Sequence, residues 1–312
     1  MAKKRILLVG LSIAILTVII LYADPFLLLS ILSKSNLKYV ILAFVVSNVS
    51  ISLRVLKWRV LLKGVDFLEL FPVQVFGMAA SNFTPGKVAE PTKTVVLKMK
   101  RGLAVSETLP TVIWERIMDI LVLILFSLIA IPFLTRAFLL ISSISIAIFL
   151  GITITFLIIL YKKNIGIKIF NFIRRFPVLK MVSKDFIKTF YKSRVEKKKL
   201  MSCFLLTAIS WFLDGTILYL SLLALGINSN PLILTGIVAL SVLIGIASSL
   251  PGGLGSTEAV MAIMFGIIAI ESITGIAGIM LARFLTFWYC AFVGAICFFY
   301  LSRKIDLSVL KI

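Results

Sequence analysis

From Ile6 to Leu301 the chain is a series of apolar runs separated by clusters of lysine and arginine, and this alternation restricts its folds more than any other feature. A helix needs about 20 predominantly apolar residues to cross a hydrocarbon core about 30 Å thick. Runs of that order cover about Ile6–Tyr22, Leu37–Leu62, Leu109–Ile131, the stretch after Arg136 to Tyr161, Met201–Leu225 and Ile273–Leu301. With 61% hydrophobic residues and a mean hydropathy of +1.13, the 312-residue chain carries more apolar sequence than a packed soluble core uses. The expected fold is all-α: one polytopic membrane bundle over residues 1–312 with about 7–8 spans. A basic segment, 162–199, divides it into two halves.

The charge distribution orients this bundle. Lys and Arg number 33 against 13 Asp and Glu, and they cluster at Lys3–Arg5, 54–63, 87–101, 162–199 and 303–311. The other turns, near 24–36, 132–136, 227–231 and 271–272, are short and poor in Lys and Arg. The positive-inside rule then puts every basic cluster and both termini in the cytoplasm of a multi-pass plasma-membrane protein. Topology and anionic headgroups at the cytoplasmic face account for the basic excess, so a nucleic-acid partner is not expected. Residues 6–22 follow a charged start as a signal peptide would, yet no small-residue cleavage site follows. They read as a retained first helix. Arg54, Lys57, Trp58, Arg59 and Lys63 read as an interfacial anchor, with a headgroup contact by Arg54 or Lys57 as the alternative.

Two stretches interrupt the pattern. Leu250-Pro251-Gly252-Gly253-Leu254-Gly255-Ser256-Thr257-Glu258 sets a proline, three glycines and a carboxylate inside apolar sequence. Broken backbone survives at membrane depth only where protein buries it or a watery cavity receives it. This predicts a discontinuous helix that resumes near Ser256 or Thr257, either hydroxyl serving as cap, with Glu258 in the first turn at the positive dipole end. The second interruption follows Leu70–Phe83, about 14 residues and too short to cross as helix. Asn82, Pro85, Gly86, Lys87, Glu90 and Lys93 would lie at the tip or return arm of a segment that enters from the basic side and goes back. Paired interrupted segments in two halves suggest an inverted repeat with a site at their interface.

Ionisable residues inside spans are functional candidates, each costing about 2.5–3.5 kcal/mol at mid-depth on insertion scales. Glu115, Arg116 and Asp119 share one span, with Glu115 and Asp119 four apart on one face. For Arg116 and Asp119 a structural ion pair is the alternative. Asp214 falls near the middle of another span, and Arg283 about 15 Å into the last, five residues before Trp288. Absences narrow the chemistry. Without histidine, His triads and His-ligated metals are excluded, and no HExxH, phosphate-loop or GxSxG motif occurs. Cys203, Cys290 and Cys297 lie in apolar runs and read as core residues, so no cofactor, metal or disulfide framework is expected.

Taken in order, Asn82-x-x-Pro85-x-Lys87-x-x-Glu90, Glu115-Arg116-x-x-Asp119, Pro251-Gly252-Gly253-Leu254-Gly255-x-x-Glu258, and Arg283 with Trp288 resemble the lysylphosphatidylglycerol synthase transmembrane-region family. Ala89 departs from that pattern, where glycine often precedes the glutamate. The resemblance implies a flippase-like domain moving a lipid between leaflets, here without a following aminoacyltransferase domain. On that basis the candidate transport residues are Asn82, Pro85, Lys87, Glu90, Glu115, Arg116, Asp119, Asp214, Pro251, Gly252, Gly253, Gly255, Glu258, Arg283 and Trp288. Arg283, Arg116 and Lys87 suit a phosphate; Glu258, Asp214 and Glu90 suit a cationic headgroup, a proton or those same bases. Two other classes stay open: a non-catalytic membrane partner that scaffolds a lipid- or glycan-building enzyme, and an intramembrane lipid-linked transferase. As protein partners, a second copy of the chain (a homo-oligomer) and a lipid-modifying enzyme both stay open.

Overall fold

In the computed structural model the described residues are 2–62, 64–130, 147, 151 and 195–303. The expected span before Tyr161, most of the basic segment 162–199, Lys63 and the C-terminal cluster beyond Arg303 lie outside them. Every regular element among the described residues is helical. In order these are α1 (Ala2–Tyr22), α2 (Pro25–Ser33), α3 (Leu37–Leu61), α4 (Phe67–Asn82), α5 (Thr92–Arg101) and α6 (Val105–Ala130). After the undescribed stretch come α7 (Lys197–Ala224), α8 (Pro231–Ala247), α9 (Ser256–Ile267), α10 (Ser272–Arg283) and α11 (Tyr289–Ser302), the last two joined by a π-helical turn, Phe284–Trp288.

Local chemistry sets the boundaries. Asn36 caps α3, accepting from the Lys38 N–H at 3.1 Å, and Asn230 caps α8, accepting from Leu232 at 2.9 Å ahead of Pro231 at the first helical position. Gly102, with φ +71°, ends α5 behind Lys98, Lys100 and Arg101 in its last turn. The stretch 24–36, read from sequence as a turn, contains α2, because Asp24 caps it and Pro25 starts it; α1 and α2 meet at 73°.

Leu37–Leu61, Lys197–Ala224 and the continuous Ser272–Ser302 are long and apolar enough to cross a membrane, and the bent α1–α2 pair is a fourth candidate. Helix α6 has 26 residues, about 39 Å at 1.5 Å per residue, but Glu115, Arg116 and Asp119 near its middle lower its apolarity. Helices α3 and α7 run antiparallel. Asn36 N–H donates to the Ala224 carbonyl at 2.7 Å at one end, Ser50 and Arg54 reach Asp214 near the middle, and Leu61 packs with Cys203 at the other.

These contacts define two faces. Leu61, Leu103, Thr108 and Lys199 line one recess, so the end of α3, the α5–α6 link and the starts of α6 and α7 share a face, here termed the basic face. Hairpin α4–α5 opens there, since Leu70 and Leu97 pack with Trp58 and Leu301. On the opposite face a Cβ at Gly236 of α8 would lie 2.0 Å from the Ala130 Cβ, and one at Gly278 would lie 2.5 Å from Leu222. Hairpin α8–α9 therefore opens at that face. Arms α4 and α8, of 16 and 17 residues, are about 24 and 25 Å long, so each ends inside the bundle.

The tips meet there: Pro85 and Pro251 form an antiparallel bridge. Arm α4 lies antiparallel on α11, with Phe76 stacked on Phe298 and a Gly294 Cβ only 2.1 Å from that of Ala79. Arm α8 lies antiparallel on α6 through the Gly236–Ala130 approach. Span, hairpin, span thus occurs twice, once from each face, which is the inverted arrangement expected from the two interruptions.

Candidate functional site

The two tips share a backbone. Gly86 and Lys87 have φ +60° and +58°, and Gly252 and Gly253 have φ +60° and +66°, so each turn places two successive residues after its proline in the left-handed region. Glycine is required at the second tip on packing grounds as well. A Cβ on Gly252 would lie 2.3 Å from the Phe287 ring and 2.5 Å from the Asn82 carbonyl; one on Gly253 would meet Thr257 Oγ1 at 2.6 Å. The first tip is open, with nothing within 4 Å of a Cβ on Gly86.

Between the tips, α3, α7 and the π-helical turn lies a cavity of about 120 Å³ lined by Asn82, Gly86, Lys87, Gly252, Gly253 and Arg283 from the tips and α10, and by Ser50, Arg54, Trp211 and Asp214 from the crossing helices. Asp214 accepts from Arg54 Nη2 at 2.6 Å and from Ser50 Oγ at 2.8 Å, and the Arg54 guanidinium sits 4.7 Å from the Trp211 ring centroid. Charge-assisted bonds of this kind offset the cost of burying both ions. The π-helical turn frees a backbone carbonyl, and Ser47 Oγ donates to the Leu285 oxygen at 2.6 Å. Phe287 lies 4.8 Å from the Arg283 guanidinium and packs edge-on to Phe83 of the first tip.

Arg283 clasps the second hairpin. Its Nε donates to Glu258 Oε1 at 2.5 Å and its Nη2 points at the Gly252 carbonyl at 3.4 Å. Glu258 Oε2 in turn accepts from the Gly255 N–H at 2.7 Å. The resumed helix is thus capped from its third position by Glu258, with Gly255 as N-cap, and not by a hydroxyl as expected; Ser256 Oγ instead donates back to the Gly253 carbonyl. Gly255 also lets α1 approach, since a Cβ there would lie 2.8 Å from that of Ile15. Glu271, in the expected turn at 271–272, directly precedes α10.

The first hairpin has the corresponding clasp: Arg116 of α6 pairs with Glu90 of the return arm. This clasp is embedded in a larger buried network. Lys93 Nζ lies 3.1 Å from Glu90, 2.5 Å from Glu115 and 2.8 Å from Gln74 Oε1, and 4.4 Å from the Trp58 ring centroid. Lys57 donates to Asp119 at 2.8 Å, Trp211 Nε1 donates to the same oxygen at 3.2 Å, and Arg116 lies 3.3 Å from the other. Three cations face three carboxylates, all but Arg116 buried. The network is electrically closed, an arrangement suited to bracing the first hairpin against α3 and α6, and is termed the brace below.

The sequence candidates therefore divide. Asn82, Lys87, Asp214, Gly252, Gly253 and Arg283 line the cavity; Pro85 and Pro251 join its tips; Gly255 and Glu258 support the second tip; Glu90, Glu115, Arg116 and Asp119 form the brace. Trp288 is 48% exposed and turns its ring toward Phe287, outside the cavity lining. The basic end of α3 is only partly an anchor. Arg59 is exposed, but Trp58 and Lys57 are buried and Arg54 lines the cavity. Helical spacing held that signal: Arg54, Lys57 and Ser50 recur at three and four residues, on one inward stripe of α3.

Along almost its whole length the chain is similar to known membrane proteins. The lysylphosphatidylglycerol synthase TM region matches residues 8–294. A UPF0104 membrane protein of Pyrococcus horikoshii is 24% identical over 321 residues, covering 94% of this chain and 96% of its own length. Another, of Methanothermobacter thermautotrophicus, is 25% identical over 316 residues, covering 95% and 93%. A third, of Methanocaldococcus jannaschii, is 24% identical over 331 residues, covering 97% and 96%.

Proposed function

Since the chain belongs to the lysylphosphatidylglycerol synthase TM-region family, we propose that this multi-pass membrane protein moves a lipid headgroup between leaflets through the cavity where its two hairpin tips meet. The observation that carries this reading is the pairing of half-depth hairpins from opposite faces around a polar cavity, the arrangement in which alternating access has a fixed central site. Arg54, Lys87, Asp214 and Arg283 supply the polar contacts, and the acyl chains stay in lipid beside the exposed apolar flanks of α3 and α7, such as Ile41, Phe44, Leu205 and Ile209. The basic face is cytoplasmic in this reading, by the positive-inside rule.

Leaflet exchange of headgroup-labelled lipids in proteoliposomes tests it. Wild-type protein is expected to exchange a lipid that Arg283→Ala, which releases both Glu258 and the Gly252 carbonyl, does not. Failure of folded wild-type protein to exchange any member of a panel of anionic, zwitterionic and polyprenyl-linked lipids refutes the reading.

A further inference from the structure

We propose that the central cavity selects a singly charged phosphodiester and that Lys87 is the residue that selects it. Identifying the phosphodiester as part of a lipid rests on the transport reading above; the charge argument does not.

The charge argument is a balance. Inside the bundle, Lys57, Lys93 and Arg116 are matched by Glu90, Glu115 and Asp119, Arg54 by Asp214, and Arg283 by Glu258. Lys87 lines the cavity, and among the described residues its ammonium has neither a hydrogen-bond nor an ion-pair partner. Lys87 is half-buried, so the cavity carries one uncompensated positive charge partly withdrawn from water, a cost that a ligand supplying the counter-charge removes. A ligand of charge −1 closes the balance. A phosphomonoester, at about −1.5 to −2 near pH 7, overshoots it. A zwitterionic headgroup adds an ammonium for which the cavity has one carboxylate, Asp214, already held by Arg54 and Ser50.

Backbone geometry gives independent support. Lys87 occupies the left-handed region at φ +58°, where the equivalent position of the second tip is Gly253 at φ +66°. A non-glycine residue there costs on the order of 1–2 kcal/mol. At the second tip the surroundings exclude a side chain, whereas Gly86, next to Lys87, borders open space, so packing does not impose lysine here. Strain kept at a cavity-lining position without a packing cause marks a function for the side chain. The guanidinium groups of Arg54 and Arg283 border the same space, and their remaining N–H donors suit phosphate oxygens.

Native mass spectrometry of the solubilised full chain with phosphatidylglycerol, phosphatidic acid and phosphatidylcholine, together with soluble glycerophosphoglycerol as competitor, tests the assignment. Wild-type protein is expected to retain phosphatidylglycerol about tenfold more tightly than the other two lipids. Lys87→Gly is expected to lose that preference and Lys87→Arg to keep it. Lys87→Gly should melt at the same or a higher temperature than wild type, since glycine adopts this backbone without strain, so lost binding cannot be assigned to misfolding. Displacement by glycerophosphoglycerol identifies a free diester as sufficient; retention without displacement identifies the lipid headgroup as the source; either supports the assignment. Equal retention of phosphatidylglycerol by wild type and Lys87→Gly overturns it, as does phosphatidic acid or phosphatidylcholine binding at least as tightly. Selective binding without leaflet exchange sinks only the transport reading, and exchange without selectivity sinks only this one.

Discussion

Replacing Lys93 by Met tests whether the buried ion network is a brace. The substitution preserves most of the stem and removes one charge from a site with no solvent exposure. Glu115 loses its 2.5 Å contact and is left with Lys57 at 4.0 Å and a 3.4 Å bond from Gln74; Glu90 keeps Arg116. Removing one partner of a buried pair costs about 3–5 kcal/mol, because the desolvation of the other goes uncompensated. Adding Glu115→Gln to Lys93→Met removes one charge of each sign. The double variant should therefore be less destabilised than the two single costs summed, by about 0.5–3 kcal/mol for groups in direct contact. Reversible unfolding in mixed micelles of rising sodium dodecyl sulfate content measures all four members of the cycle. A cost below about 1 kcal/mol for Lys93→Met, or strict additivity, would refute the brace and return Glu90 and Glu115 to the list of ligand-binding groups.

Two other perturbations probe the inverted architecture. Gly236→Val and Gly294→Val place a side chain against Ala130 and Ala79, approaches of 2.0 and 2.1 Å for the first carbon, and each should cost at least about 1–3 kcal/mol of stability; Gly266→Ala, with open space, should be neutral or stabilising, and equal tolerance at all three sites in the same unfolding assay would contradict the packing. Asp66→Cys and Glu271→Cys, at the open ends of the two hairpins, should be labelled by a membrane-impermeant thiol reagent from opposite sides of oriented vesicles, while buried Cys203, Cys290 and Cys297 stay unlabelled. Labelling of both from one side would rule out the inverted topology.

How much of this was legible in the sequence depended on the range of the interaction. Pro85-Gly86 and Pro251-Gly252-Gly253 announce their breaks locally, because proline and glycine act on their own backbone, and both hairpins follow from the lengths of their arms. The turn at 24–36 misread for a related reason: Asp24 and Pro25 form a start signal, but α2 is only nine residues long, shorter than an apolar run that hydropathy resolves. Pairing was beyond reach. Nothing near Glu115 in sequence names Lys93 or Lys57 as its partners, and a cationic cluster ending a span reads as an anchor until the packing of α3 on α6 and α7 turns Lys57 inward and leaves Arg59 outside. Trp288 was taken with Arg283 from the family motif, but the π-helical turn rotates Phe287, and not Trp288, onto the cavity.

The inverted arrangement also explains why acidic residues in similar motifs have different surroundings. Glu90 and Glu258 each sit on the return arm of a hairpin, and each pairs with an arginine of the next crossing helix, Arg116 and Arg283. The second clasp faces the cavity: Arg283 lines it, and its other nitrogen reaches the Gly252 carbonyl at the tip. The first is turned away into the Lys57–Lys93 network, which has no counterpart at the second hairpin among the described residues. What the first hairpin presents to the cavity instead is Lys87, from the tip position that the second hairpin leaves to Gly253. Two repeats with one backbone plan thus contribute unlike groups to a shared site, an arginine held by its own carboxylate from one side and an unpaired lysine from the other. The unmatched charge of the cavity arises from this difference between the repeats, since glycine at both tip positions would leave every charge around the cavity matched.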